Sequence, residues 1–365
     1  MSKALSILVS VLVMFFHSGC SRLSKNNREI TKENIKVGFV YNGFINDEGY
    51  TQAHDEGRKA LNKMGIPTMY IENVKDDDMY CHEIIDDMIE EGCNVIYAIS
   101  YGFMNAVVKA AEDHPNVIFG HCSGTVNLPN LSTYFGKMYQ ARYLAGIVAG
   151  MKTKSSKVGY VAAYEIPECI RGVNAFALGV LSVNPDAKVY VYWTSTWNDP
   201  LKEKKGAQTL IEKGCDVIEQ HQDTPAAQLV AQDSGAFCLG YNFAPEKPVA
   251  PNAYLCAPIF HWEKFIIEDV NAILDGVWEN RSYWEGLDKG IVDLSPLSDL
   301  CTEEMEKKVS RAKNRIINGN LKIFSGKLYD TDGNLRVPEN TVMSDDEIMN
   351  MDWFIKDVII IKSGK

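Results

Sequence analysis

Lys36-Val37-Gly38-Phe39-Val40-Tyr41 is followed by the polar loop Asn46-Asp47-Glu48-Gly49-Tyr50 and then by His54-Asp55-Glu56-Gly57-Arg58. The first run has the length and apolar content of a buried strand. Ala53, Gly57, Ala60, Leu61 and Met64 then recur on one face of a helix. A strand followed by an amphipathic helix is the repeating unit of a parallel sheet covered by helices, so the class is α/β. Working outward, strands are predicted over 67–72, 94–99 and 116–120, with helices over 79–91 and 103–113. A second series opens with a strand over 157–164, a helix over 169–184, a strand over 188–193 and a helix over 200–213. Strands over 217–221 and 236–241 follow.

At 365 residues the chain exceeds what one hydrophobic core usually organises, so the two series imply two lobes with a cleft between them. Pro245, Pro248 and Pro251 interrupt the alternation and mark a candidate crossover. The expected division is lobe 1 over 35–154 plus 250–288, and lobe 2 over 155–249 plus 289–365. A strand over 253–258 and a helix over 262–276 would return to lobe 1. In the tail, Asp330-Thr331-Asp332-Gly333-Asn334 has the outline of a calcium loop, but its glycine is misplaced and no bidentate Glu follows. A tight turn between short strands is expected there.

The first residues form an address. Lys3 precedes an apolar run from Ala4 to Phe16, shorter than the roughly 20 residues a transmembrane helix needs, so residues 1–19 read as a signal peptide. Ser18-Gly19-Cys20 resembles a bacterial lipobox, in which Cys20 would be lipidated and 20–34 would be a polar tether. His17 stands where an aliphatic residue is usual, which leaves ordinary cleavage as the alternative. The expected location is a bacterial membrane surface facing the periplasm or the cell exterior.

A net charge of -11 with no cluster of Lys and Arg argues against a nucleic-acid partner. The remaining cysteines, Cys81, Cys93, Cys122, Cys169, Cys215, Cys238, Cys256 and Cys301, have no CxxC pair and no metal-ligand spacing, so neither a metal nor a cofactor is called for. Their apolar neighbours suit buried free thiols. Gly120-His121-Cys122-Ser123-Gly124 outlines a nucleophile elbow, but Thr125-Val126-Asn127-Leu128-Pro129 cannot begin the helix an elbow requires. The chain has no phosphate-cradling G-x-x-x-x-G-K-[ST] loop, so an ATP-driven pump would have to be a partner.

Three segments resemble the basic-membrane-protein (BMP) family of substrate-binding lipoproteins. The first is the opening strand, loop and helix quoted above. The second is Ile166-Pro167-Glu168 leading to Gly172-Val173-Asn174-Ala175-Phe176, then Trp193 to Pro200. The third is Gln220-His221-Gln222-Asp223-Thr224, with Ala272-Ile273-Leu274-Asp275-Gly276-Val277-Trp278 downstream. Together they cover most of 36–330. The resemblance implies a type I periplasmic-binding fold: two Rossmann-like lobes, a hinge and an interlobe ligand cleft. It also implies a purine base or nucleoside as ligand, a monomer, and permease and ATPase subunits of an ABC importer as partners.

Ligand residues are then expected in loops at the C-terminal ends of the strands in both lobes. By the resemblance, Tyr50 would place an aromatic ring against the base, or serve as a core residue at the start of its helix, and Trp197 would add a second ring from the other lobe. Asp47, Asp223 and Asn242 could read the base edge, although Asp47 could equally cap the first helix. Asn242 stands where nucleoside-binding relatives usually carry a ribose-holding aspartate. The ribose-contacting lysine expected after 253–258 is replaced by Ile259, Phe260, His261 and Trp262. That departure points to a free base such as adenine, with Trp262 closing over it or packing between the lobes. Tyr101, Phe103, His121, Glu168 and Asn174 complete the candidates, with capping and core duties as alternatives for Tyr101, Phe103, His121 and Glu168.

The expected mechanism is capture by one lobe followed by hinge closure that a permease recognises, with no bond made or broken. Rival readings are a lipid-anchored sensor, a binder of another solute such as a sugar, and a transcription regulator of similar fold. The last would need an N-terminal DNA-binding helix pair where the signal-like run stands.

Overall fold

The computed structural model describes residues 29–361. The signal peptide expected at 1–19, Cys20 and most of the tether expected at 20–34 therefore lie outside the described residues.

The first unit forms as the patterning requires. β1 (Val37–Val40) is buried along its whole length and leads through a loop to α1 (Tyr50–Lys63). Met64 ends that helix in the open and does not share its buried face. β2 (Thr68–Ile71), α2 (Asp78–Glu90), β3 (Val95–Ala98), α3 (Met104–Asp113), β4 (Ile118–Cys122) and β5 (Leu131–Gly136) continue the series. Then come α4 (Met138–Lys152), β6 (Lys157–Ala162), α5 (Pro167–Leu181), β7 (Lys188–Trp193), α6 (Pro200–Glu212), β8 (Val217–Gln220), α7 (Ala226–Asp233) and β9 (Phe237–Cys238). β10 (Pro258–Phe260), α8 (Trp262–Leu274), β11 (Ser282–Glu285), β12 (Val292–Leu294) and α9 (Glu303–Ile317) follow. The tail carries β13 (Leu328–Tyr329), β14 (Leu335–Val337), α10 (Asp345–Met349) and β15 (Val358–Ile361).

Two all-parallel sheets result, in the orders β11-β5-β4-β3-β1-β2 and β15-β7-β6-β8-β9. The chain passes between them after β5, between β10 and α8, and between β11 and β12. β10 and β12 pair antiparallel, Pro258 opposite Leu294, and make the ribbon at the hinge.

The boundaries differ from those expected at 154 and 250. α4 leaves the first sheet behind: it lies along α5, α9 and the β10–β12 ribbon. Its contact with α5 is at backbone range, because a Cβ on Gly146 would run into Phe176 O and one on Gly179 into Tyr143 O. At the other boundary, residues 253–256 form no strand of the first sheet. The Cys238 amide donates to Ala253 O at 2.9 Å and the Gly240 amide to Cys256 O at 2.9 Å, so this segment stays beside β9. The helix at 262 does return to the first sheet, against α1.

Asp330 spends its carboxylate inside the β13–β14 turn. Its oxygens accept from the Asp332 amide at 3.0 Å, the Asn334 amide at 2.8 Å and Asn334 Nδ2 at 3.1 Å, which makes a tight turn of the calcium-like sequence. The eight cysteines from Cys81 to Cys301 are free thiols, and all but Cys301 are buried.

Candidate functional site

The C-terminal ends of both sheets face one small cavity of about 30 Å3. Each strand end contributes. From lobe 1 come Asn42 beyond β1, Tyr50 at the start of α1, Ile99, Ser100 and Tyr101 beyond β3, and Ser123 beyond β4. From lobe 2 come Glu168 after β6, Trp197 after β7, Asp223 after β8, and Tyr241 and Asn242 after β9. A parallel sheet places such loops together by construction, since every strand ends on the same edge.

The lobes meet around this cavity. A Cβ on Gly49 would stand 2.8 Å from Asp223 O, so only glycine permits the approach. Ser123 Oγ donates to Glu168 Oε2 at 3.1 Å across the cleft. The described conformation is therefore closed.

Tyr50 is held rigidly. Its hydroxyl donates to Ile99 O at 2.8 Å and stands 3.0 Å from Cys122 Sγ, which leaves the ring as its free surface. Behind it, Phe260, Trp262 and His54 form a continuous stack, with centroid separations of 4.1 Å and 4.4 Å. Tyr50 meets His54 edge-on at 4.5 Å. Burial drives the His54 pKa down to about 3, so the imidazole is neutral.

On the lobe 2 side, Asn242 adopts φ 65, a left-handed conformation that Asn tolerates better than most residues. Its Nδ2 donates to Asp223 Oδ1 at 3.0 Å while its own Oδ1 is buried without a partner. Asn42 Oδ1 is likewise unpartnered. Burial, together with the neighbouring charges of Asp47, Glu203 and Glu168, pushes the Asp223 carboxyl well above the usual range. Burial also raises Glu168, against the opposing pull of Arg171. Among the described residues no Lys or Arg lines the cavity.

Beneath Tyr241 lies a buried ion pair. Arg142 on α4 bonds Glu219 on β8 and donates to Gln220 O at 2.7 Å, and its guanidinium sits 3.8 Å from the Tyr241 ring centroid. Both partners are fully buried.

The family model of ABC transporter substrate-binding proteins described as PnrA-like (Bmp) matches residues 34–327, the whole of both sheets but β15. The chain belongs to the Bmp family. This Bmp protein is 33% identical over 330 residues to a purine-binding protein of Brucella abortus, covering 90% of this chain and 93% of the relative. It is 34% identical over 300 residues to a putative ABC transporter glucose-binding protein of Haloferax volcanii, covering 82% and 76%. A solved solute-binding protein of an ABC transporter system from Conexibacter woesei superposes with a TM-score of 0.67 at 18% identity, over 79% of this chain and 97% of that one. The fold is thus the two-lobed type I periplasmic-binding fold. As a Bmp member the protein is an extracytoplasmic substrate-binding component, with a small-molecule ligand and permease and ATPase partners. No described helix is long and apolar enough to cross a membrane.

The candidates named from sequence divide by position. Tyr50, Tyr101, Glu168, Trp197, Asp223 and Asn242 line the cavity of this Bmp protein. Asp47 does not: its carboxylate accepts from the amides of Gly49 at 2.8 Å, Thr51 at 3.0 Å and Gln52 at 3.0 Å, which caps α1. Phe103 is buried in the lobe 1 core. His121 lies one layer back, its Nε2 bonded to Ser100 O at 2.8 Å. Asn174 ties the tail to α5, donating to Trp353 O at 2.7 Å and accepting from the Ile355 amide at 3.0 Å. Trp262 is a slab in the stack behind Tyr50 and is fully buried, so it does not close over the cavity. Cys122 ends β4 buried, its thiol pushed well up by burial, and no helix follows it. Asn42, Ile99, Ser100, Ser123 and Tyr241 were missed. The available signal was their place just beyond a predicted strand.

Proposed function

We propose that this protein captures a free purine base, such as adenine, between its lobes for delivery to an ABC importer, and that a lipid on Cys20 holds it at the membrane surface. What carries the ligand reading is the set of acceptors left over at the cavity wall. Asn42 Oδ1 and Asn242 Oδ1 have no partner, and the Asp223 and Glu168 carboxyls each accept a single hydrogen bond from the protein. A buried acceptor without a donor costs about 1–3 kcal/mol, so this cavity favours a ligand rich in N–H groups. A free purine offers a ring N–H at the imidazole side that a nucleoside lacks, because the sugar occupies that nitrogen. Adenine adds two exocyclic N–H bonds. The rings of Tyr50, Trp197 and Tyr241 supply flat surfaces, and base stacking contributes about 1–3 kcal/mol per base. The absence of a cation from the wall disfavours a phosphate or carboxylate inside this cavity. At about 30 Å3 in this closed conformation the cavity lies well below the roughly 300–1,000 Å3 of small-ligand clefts, so the lobes must part further to hold a base.

The relative named as glucose-binding favours a second reading, a sugar, whose hydroxyls would also meet these acceptors. Calorimetric titration of the protein freed of leader and carried-over ligand distinguishes the two. Adenine, adenosine, guanosine, inosine, ribose and glucose are compared in parallel. Tight adenine with weak adenosine and no sugar is the expected result; tight glucose without purine would replace the purine reading with the sugar one.

A further inference from the structure

Beyond the Ser123–Glu168 bond the cleft widens into an outer chamber. It shares Tyr101, Ser123 and Glu168 with the inner cavity and opens past Arg171, Trp284 and α10. Arg171 lies on α5, one turn beyond Glu168, and is only 8% exposed. Its guanidinium rests on aromatic rings of the other lobe, 5.1 Å from the Trp284 centroid and 5.7 Å from that of Phe135. Among the described residues it makes neither a hydrogen bond nor an ion pair within 4.0 Å. Arg142, fully buried, is bonded to a carboxylate, whereas Arg171 keeps 8% exposure, lines the open chamber and has no such partner. A buried guanidinium is normally paired, because desolvating a charge without a partner is costly. The rings attract the cation but accept none of its N–H bonds, so its donors are left for an oxyanion, whose fork they match. Arginine remains charged even where burial pulls its pKa down, as it does here.

We infer that the outer chamber is an oxyanion subsite centred on Arg171, taking a phosphate or carboxylate group at the mouth of the ligand cleft. Two carboxylates border it. Glu168 is engaged by Ser123, and Asp346 is exposed on α10, where solvent screens it. The anion would touch lobe 2 through Arg171 and lie beside the lobe 1 shelf of Trp284, so its binding would favour the closed state. Its source is either a free anion or an acidic substituent carried by the ligand of the inner cavity.

Inorganic phosphate is the first probe, and it tests the subsite independently of the purine reading. Titrated at constant ionic strength against chloride, it is expected to change tryptophan fluorescence saturably. Arg171→Gln should weaken this at least tenfold, and Arg171→Lys should fall between. No saturable response, or an equal response in Arg171→Gln, overturns the inference. If Arg171→Gln does not fold, the guanidinium resonances of the wild-type protein give the answer by NMR: phosphate must shift a single buried arginine, and an unmoved spectrum overturns the inference. Adenosine 5′-monophosphate against adenosine then separates the sources. A tenfold gain for the nucleotide, lost in Arg171→Gln, assigns the anion to the ligand. Phosphate binding without such a gain assigns it to a free anion.

Discussion

The two lobes supply the same kind of loop to the same cavity, yet they use their polar side chains differently. In lobe 1 the prominent groups are already committed. Asp47 caps α1, the Tyr50 hydroxyl is given to Ile99 O, and His121 is given to Ser100 O. In lobe 2 the Asp223 carboxyl, Glu168 and Asn242 keep acceptor capacity that no protein donor fills. Lobe 1 therefore offers a rigid wall whose one spare acceptor is Asn42 Oδ1, and lobe 2 most of the hydrogen-bond code. A polar residue in a loop near a site is not thereby a ligand residue; what matters is whether its capacity has been used locally.

The largest expected effect tests the foundation under the lobe 2 wall. Arg142→Ala leaves Glu219 buried without its cation and should cost about 3–5 kcal/mol in denaturant unfolding. A loss below 1 kcal/mol would show that the pair does not support the Tyr241 platform. Next, Asp223→Ala should weaken purine binding by about 1.5–3 kcal/mol, the usual worth of a hydrogen bond to a charged or strongly polar group, with little change in unfolding. Asp47→Ala should do the reverse: about 1 kcal/mol of stability lost with the cap, and affinity nearly unchanged. If Asp47→Ala abolishes binding while leaving stability intact, the contrast between the lobes fails.

A pH scan sharpens the same contrast. Burial raises the Glu203 pKa to about 7, with its carboxyl bonded to Thr224 and the Asp199 amide. Below the unfolded value of about 4.3 the group is protonated in both states and costs nothing. As pH rises from there through about 7, the unfolded chain ionises first, so stability is lost over that window and is level above it. Glu203→Gln should flatten the decline measured by thermal unfolding between these limits. The smallest effect is expected from Ser123→Ala, which removes one interlobe hydrogen bond worth about 0.5–1.5 kcal/mol and should weaken ligand affinity by no more than roughly tenfold.

Periodicity was enough to read β1 to β4 and β6 to β9 from sequence, because a strand buried on both faces and an amphipathic helix leave distinct patterns, as in 36–41 and the helix after it; β5, β11 and β15 were not named. It did not reveal that α4 changes lobe. That helix is buried almost all round, so its sequence shows which residues are apolar but not which sheet they cover. The family resemblance pointed to Tyr50 and Trp197, and it also placed Asp223 and Asn242 in the loops beyond strand ends. The cap made by Asp47 was one of the two readings open from sequence, since its partners are local; Asn174, inside α5, pairs with the distant Trp353 and Ile355 backbone, which only folding brings near. Arg171 had no local signal, since its lack of a partner emerges only when α5 and β11 face one another.

The most direct test compares adenine with 9-methyladenine by calorimetry on the wild-type protein. The methyl group removes the ring N–H while keeping the flat surface and the exocyclic amine. If the spare acceptors of the cleft hold a free base, methylation should weaken binding at least tenfold. Equal affinity for both, or no binding of either, would contradict the account.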